Sequence, residues 1–374
     1  MRSPRHPTGT AAPARAGTIP RLVVVGLGIA GLCAAWLHAL AASRCRDDAL
    51  TALAFSEQVL QEQICRHRGM VETWASLPEI RQLTAAMQAA LEGTDRARDR
   101  LATQPQQARL HNLLEQACRE GGYQGFSIVS PDNLQIVSST PAALGHRSLA
   151  RLDFLARALA GAAFVTRPYL AGTPLPDQEG RLRLGVPTMH ALAPIRDDAE
   201  RVVAVLRFRI APVEFFAPAI TGCPGAARQD VCLFDSRGVV VRSASSAEPS
   251  RAGRAGVEFV FDATSSAPRG PGGAGGRDPV TAALLRVAGE NFDGYADHRG
   301  RTVVGAWRWL PELELLLASQ AEPPLAPAFQ RWTLWTLGVC LATLVAIHMR
   351  RREHGPRRKP GDQAGRTATA NPRA

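Results

Sequence analysis

The sequence predicts an α+β fold: a long N-terminal helix with two modules of antiparallel sheet, flanked by two apolar helices that suit a membrane. Three observations predict it. Uncharged apolar runs stand at Leu22–Ala42 and Trp332–Met349. Between them the chain keeps helical spacing from Ala49 into the Leu110–Ala117 region, then changes to short strands divided by Gly, Pro, Asp and Asn turns. The strand pattern occurs twice with helix beside it, which favours antiparallel sheets with helix cover.

The elements follow in order. Residues 1–21 carry Arg2, Arg5, Arg15 and Arg21 without an acid. Leu22–Ala42 is 21 uncharged residues, about 31 Å as a helix, which matches a bilayer core. Trp332–Met349 is about 27 Å by the same arithmetic and spans with Trp332 and Trp335 at one interface and Arg350–Arg352 at the other. Two alternatives stand beside these spans. Ala39-Leu40-Ala41 fits a signal-peptide cleavage site, and the second run also reads as a buried amphipathic helix. Basic flanks place both termini in the cytoplasm and residues 43–331 outside it.

After the first span, Phe55, Val59, Leu60, Ile64, Val71 and Trp74 recur at helical spacing. Leu77-Pro78 breaks the helix, which resumes through Leu83, Met87 and Leu91 and again at Leu110–Ala117. Parallel pairing of the Phe55–Trp74 stripe predicts a homodimer. A first module, about 121–212, contains strands Gly125–Val129 and Leu134–Ser138 around a Pro131-Asp132-Asn133 turn, a helix Arg147–Ala160, and strands Phe164–Tyr169, Pro187–Pro194 and Arg201–Ile210. In the last, Val203, Val205, Phe208 and Ile210 alternate with their neighbours. A second module, about 228–320, begins with a hairpin, Asp230–Asp235 and Val239–Arg242 around Ser236-Arg237-Gly238. It continues with strands Gly294–Ala296, Arg301–Trp309 and Leu313–Gln320, and Ser265–Gly276 reads as a Gly/Pro/Ser-rich loop.

Charge excludes one class of function. Nearly all of the net +11 sits in residues 1–21 and 350–374, so the body is almost neutral and lacks the cationic surface of a nucleic-acid-binding protein. A 45% hydrophobic share excludes global disorder. Val23-Val24-Val25-Gly26-Leu27-Gly28-Ile29-Ala30-Gly31 has the strand, G-x-G-x-x-G and helix order of the dinucleotide fingerprint of flavoproteins, so an FAD- or NAD-dependent oxidoreductase is an alternative reading. That unit needs a second strand ending in an acid about 20 residues on. The stretch before Glu57 instead continues as helix, and in a membrane helix such glycines let backbones pack closely. No His-Glu-x-x-His, Gly-x-Ser-x-Gly or Walker sequence occurs, and the nine histidines lack metal-ligand spacing. The expectation is therefore no enzyme activity, no catalytic residues, no cofactor and no metal. Cys223 and Cys232 enclose a short loop that closes as a disulfide in an oxidising compartment, and Cys65 with Cys118 is a second candidate pair.

Five phrases carry a family resemblance: Gly122-Tyr123 with Phe126-Ser127-Ile128-Val129; Ala193-Pro194-Ile195-Arg196-Asp197; Val202–Phe208; Cys232-Leu233-Phe234-Asp235-Ser236-Arg237-Gly238; and Gly294-Tyr295-Ala296-Asp297 with Gly300 and Val303–Pro311. Over about residues 45–325 the chain resembles the double Cache sensor domains of bacterial membrane receptors. The resemblance implies two PAS-like modules on the long helix, periplasmic and anchored in the inner membrane. It implies that the distal module binds a small molecule and that a shift passes through the proximal module to the second span. Family members that bind amino acids have Arg-x-Trp-Tyr on the pocket helix and a later Tyr-x-Asp. Here Arg151-Leu152-Asp153-Phe154 replaces the first, and Tyr169-Leu170-Ala171 lacks the acid of the second. An amino acid would leave its ammonium unpaired, which favours a carboxylate or another small organic ligand. The resemblance implies Arg151, Phe154, Tyr169 and His190 as lining, while Phe154 and Tyr169 also read as core aromatics, Arg151 as a solvated charge and His190 as a strand residue. Sensors of this family continue into an output domain, whereas only Arg350–Ala374 follows the second run, a basic tail suited to anionic lipid. The expectation is a receptor without its own output, signalling through a partner such as a separate kinase. A purely structural membrane protein is the remaining alternative.

Overall fold

The computed structural model describes residues 19–90, 97–147, 152–176, 181–222, 229–235, 240–243, 257–260, 285–297, 301–323, 335–346 and 349. The chain divides into two compact units, Met1–Ser43 with Pro324–Ala374 and Arg44–Pro323.

Helix α1 runs from Ile19 to Ser76 and stops where Pro78 begins α2 (Pro78–Ala89), because proline disfavours helix at the residue before it. α3 (Ala97–Thr103) and α4 (Pro105–Gly121) follow, and α4 ends on Gly122 at φ 69°, a left-handed cap that glycine takes without strain. In Arg44–Pro323 the buried positions of α1 include Ala49, Ala52, Leu53, Ser56, Leu60, Ile64, His67, Val71 and Ala75, one stripe at three- and four-residue spacing. Those side chains enter a core shared with the inner faces of two sheets. The Phe55–Trp74 stripe is thus spent within the chain: Leu60, Ile64 and Val71 are buried there, and Phe55, Val59 and Trp74 pack against it.

The first sheet contains β1 (Gly125–Val129), β2 (Gln135–Ser138), β3 (Phe164–Val165), β4 (Tyr169–Leu170), β7 (Pro187–Arg196) and β8 (Val202–Ile210), in the order β2-β1-β8-β7-β3 with β4 also on β7. β5 (Leu175–Pro176) and β6 (Leu182–Arg183) form a separate ribbon. α5 is described over Leu152–Leu159, and Arg147, expected at the start of that helix, instead bridges Leu134. Pro168 lies between β3 and β4, which replace the single strand expected over Phe164–Tyr169. β8 also departs from the sequence reading. Ala204, Leu206, Phe208 and Ile210 face the core with α1, while Val205 joins a separate cluster under α5. The expected alternation mixed these two faces.

α6 (Pro212–Thr221) was not foreseen; Pro212 sits at its first turn, and the hydroxyl of Ser56 on α1 donates 2.7 Å to the Ala219 carbonyl at its last turn. The second sheet contains β9 (Asp230–Asp235), β10 (Val240–Ser243), β11 (Val257–Val260), β12 (Gly289–Ala296), β13 (Thr302–Leu310) and β14 (Leu315–Ala321), in the order β11-β10-β9-β14-β13-β12. All neighbouring strands of both sheets are antiparallel.

Apart from β11, the two sheets share one order: second strand, first, last, penultimate, third. The registers coincide too. Tyr169 lies opposite Thr188, and His190, two residues on, lies opposite Arg209. Tyr295 lies opposite Val303, and Gly305, two residues on, lies opposite Gln320. The second sheet therefore has Gly305, Ala318 and Gln320 where the first has His190, Arg207 and Arg209, and Trp307, 1% exposed, where the first has Leu192.

In the other unit, Leu27, Ile29, Leu32, Trp36, Trp335, Val339 and Leu341 are exposed. A Cβ on Gly31 would stand 3.1 Å from Leu337 on helix α7 (Trp335–Ala346), so the absence of a side chain lets these helices meet. Among the described residues one helix, the first, is long and apolar enough to cross a membrane, and its apolar window is 6% buried. The stretch Val23–Gly31 is helical throughout, which removes the strand and turn of a dinucleotide fingerprint and with them the oxidoreductase alternative. Cys65 is exposed and Cys118 buried, both as free thiols, so that pair does not form. Cys223 lies outside the described residues, and Cys232 is buried on β9.

Candidate functional site

Strand alternation builds the site. Residues of β1, β7 and β8 that point away from α1 form an outer face, and α5 lies across it. Val129, Phe154, Leu155, Ala158, Phe164, Leu192 and Val205 make its apolar part. Beside them lies a polar group: Ser127 on β1, Arg207 and Arg209 on β8, Thr188 and His190 on β7, and Tyr169 on β4.

Three of the four residues expected at the site are brought together. Phe154 is 5.6 Å from Tyr169 between ring centroids, and Tyr169 is 5.9 Å from His190, with their rings stacked. The Tyr169 hydroxyl and His190 Nδ1 share a hydrogen bond of 2.8 Å, and the His190 backbone N–H donates 2.9 Å to the Thr166 hydroxyl. Arg151 lies outside the described residues. The same face holds cations that sequence reasoning missed. Arg207 is 7% exposed, and its Nε donates 3.0 Å to the Ser127 hydroxyl. Arg209 donates 3.1 Å to the Gln124 carbonyl, while its Nη1 is buried without a hydrogen bond, as is the Thr188 hydroxyl. Their signal was the Arg-Phe-Arg alternation inside β8, which puts both guanidiniums on one face.

Electrostatics follow from this crowding. Burial, then the like charges of Arg207 and Arg209, hold the His190 imidazole well below its ordinary range, so it is neutral. Burial also lowers both arginines. Arg167, between β3 and β4, stands 5.9 Å from the Phe154 ring centroid and pairs with Glu314. The arrangement offers fixed positive charge, a neutral imidazole–phenol pair and aromatic walls; it suits binding of an anion better than proton transfer. Among the described residues no three His, Cys, Asp or Glu side chains gather to hold a metal.

Fold and face together define the class: an α+β domain with two like sheets on one long helix and a cationic, aromatic outer face on the first. No protein-family model and no curated protein matches the chain. Solved structures similar to it are periplasmic sensor domains of chemoreceptors and histidine kinases. The sensory domain of a Campylobacter jejuni chemoreceptor is 12% identical, over 77% of this chain and 99% of that one, with a TM-score of 0.44. The sensor domain of the Vibrio cholerae histidine kinase DctB is 13% identical, over 72% and 97%, at 0.35. The sensor domain of Escherichia coli DcuS is 15% identical, over 44% and 98%, at 0.31.

Proposed function

We propose that this chain is a membrane-anchored extracytoplasmic sensor of a small organic anion, a carboxylate by preference, which it binds on the outer face of the first sheet and reports to a separate membrane partner such as a kinase. The reading is non-enzymatic. The observation that carries it is the placement of Arg207 and Arg209 beside neutral His190 and its Tyr169 partner, under a helix that carries Phe154. A carboxylate there exchanges hydration for charge-assisted donors at close range. The register supports a division of labour, since the second sheet has Ala318 and Gln320 at the two arginine positions. Both spans, with both termini cytoplasmic and the two sheets periplasmic, complete the proposal.

The test is thermal unfolding of the full chain in lipid nanodiscs against a panel of small mono-, di- and tricarboxylates. A ligand at a hundredfold its Kd stabilises by about 2.7 kcal/mol, a rise of roughly 5 °C for a domain of this size. Arg207→Gln abolishes that rise. A flat response of the wild-type chain across the panel leaves the sheets as scaffold and refutes the proposal.

A further inference from the structure

Tyr169, Phe154 and Arg167 form a chain of contacts that does not end within the first sheet. The Tyr169 ring, bonded to His190, lies against Phe154, whose ring in turn faces the Arg167 guanidinium. Arg167 then pairs with Glu314, 147 residues away, in the turn between β13 and β14. That turn is held on three sides by successive residues. Glu312 accepts a 3.2 Å hydrogen bond from Gln61 on α1, Leu313 is fully buried in the shared core, and Glu314 meets Arg167. The next residue, Leu315, begins β14, the last strand of the second sheet.

We propose that Arg167 and Glu314 are the positioning pair through which the outer face of the first sheet sets the last strand. This rests on the sensor reading for its purpose, though the coupling itself is measurable without any ligand. The Arg167 side chain is 18% exposed, so its charge is screened less than that of a surface ion pair. Its guanidinium is shared between the Phe154 ring and a carboxylate. Whatever displaces Phe154 displaces the cation, and Glu314 follows because opposite charges at contact move together. Glu314 sits at φ 52°, a left-handed backbone with little freedom to absorb the movement, so the displacement passes to Leu315.

The test is a double-mutant cycle on the full chain in nanodiscs, read by hydrogen exchange of the β14 amides. Phe154→Leu changes β14 exchange roughly threefold, in line with a partly buried ion pair, and Glu314→Gln reduces that effect to within error. Arg81→Gln, which loosens the contact of α2 with the β7–β8 turn, leaves β14 unchanged. An equal response to Phe154→Leu with and without Glu314→Gln overturns the proposal. A carboxylate panel that shifts nothing while the cycle couples would sink the sensor reading and leave the pair standing.

Discussion

His67 ties α1 to the first sheet, and acid should loosen that tie by a calculable amount. The side chain is 8% exposed, its Nδ1 lies 3.1 Å from the Tyr123 hydroxyl, and Phe215 of α6 covers its other side at 5.6 Å between centroids. Tyr123 itself stacks on Phe208 of β8 at 4.6 Å. Burial, with a smaller contribution from the positive charge of Arg66, lowers the imidazole from 6.5 to about 4, while burial pushes the Tyr123 phenol up to about 12 and keeps it neutral. Above pH 6.5 the imidazole is neutral folded and unfolded, so pH has no leverage there. Below it the unfolded chain takes up the proton first, and stability falls until the folded group also titrates near pH 4. A shift from 6.5 to about 4 is worth about 3 kcal/mol in full and about 2 kcal/mol at pH 5. Urea unfolding of the full chain in detergent, followed by tryptophan fluorescence at pH 7.5 and pH 5, measures it. His67→Gln removes the titration, so the mutant should lose about 2 kcal/mol less than wild type over that interval. Equal losses in the two proteins would refute the argument.

Two further outcomes follow from geometry and topology. A Cβ on Gly305 would lie 2.2 Å from the Ser319 carbonyl oxygen and 3.1 Å from Gln320 Cα, both backbone of β14. Gly305→Ala should therefore cost at least about 3 kcal/mol in chemical denaturation, and a wild-type midpoint would contradict the strand spacing. Alkaline phosphatase fused after Glu200, in the exposed turn between β7 and β8, should be active if the sheets are periplasmic, and an inactive fusion means they face the cytoplasm.

Much of the fold was legible because its signals are local. Runs such as Val202–Ile210 and Thr302–Leu310 are rich in β-branched and aromatic residues, and their strand ends fell within two residues of expectation. α6 was missed, although Pro212 at its first turn is a start signal; Pro218 inside it obscures the helical pattern. Its helical state rests on Phe215, Phe216, Ala219 and Ile220 entering the core, which is a tertiary fact. Of the site, the aromatic pair came from a family pattern, and the two β8 arginines were visible once the alternation was put in phase. Arg167 had no sequence signal, since its partner stands 147 residues downstream and only the meeting of the two sheets brings them together.

The shared register of the sheets has a mechanical consequence. With Gly305 and Ala318 so small, the outer face of the second sheet is filled by its own side chains: Trp307 packs edge-on against Tyr295 at 5.8 Å, and Cys232, Phe234 and Leu316 close around it. Its polar contacts with α1 lie at the rim, where Arg46 pairs with Glu290, Glu57 pairs with Arg308 and Glu312 of the β13–β14 turn accepts from Gln61. Two copies of one strand order thus carry different outer faces, one cationic and aromatic, the other closed over Trp307.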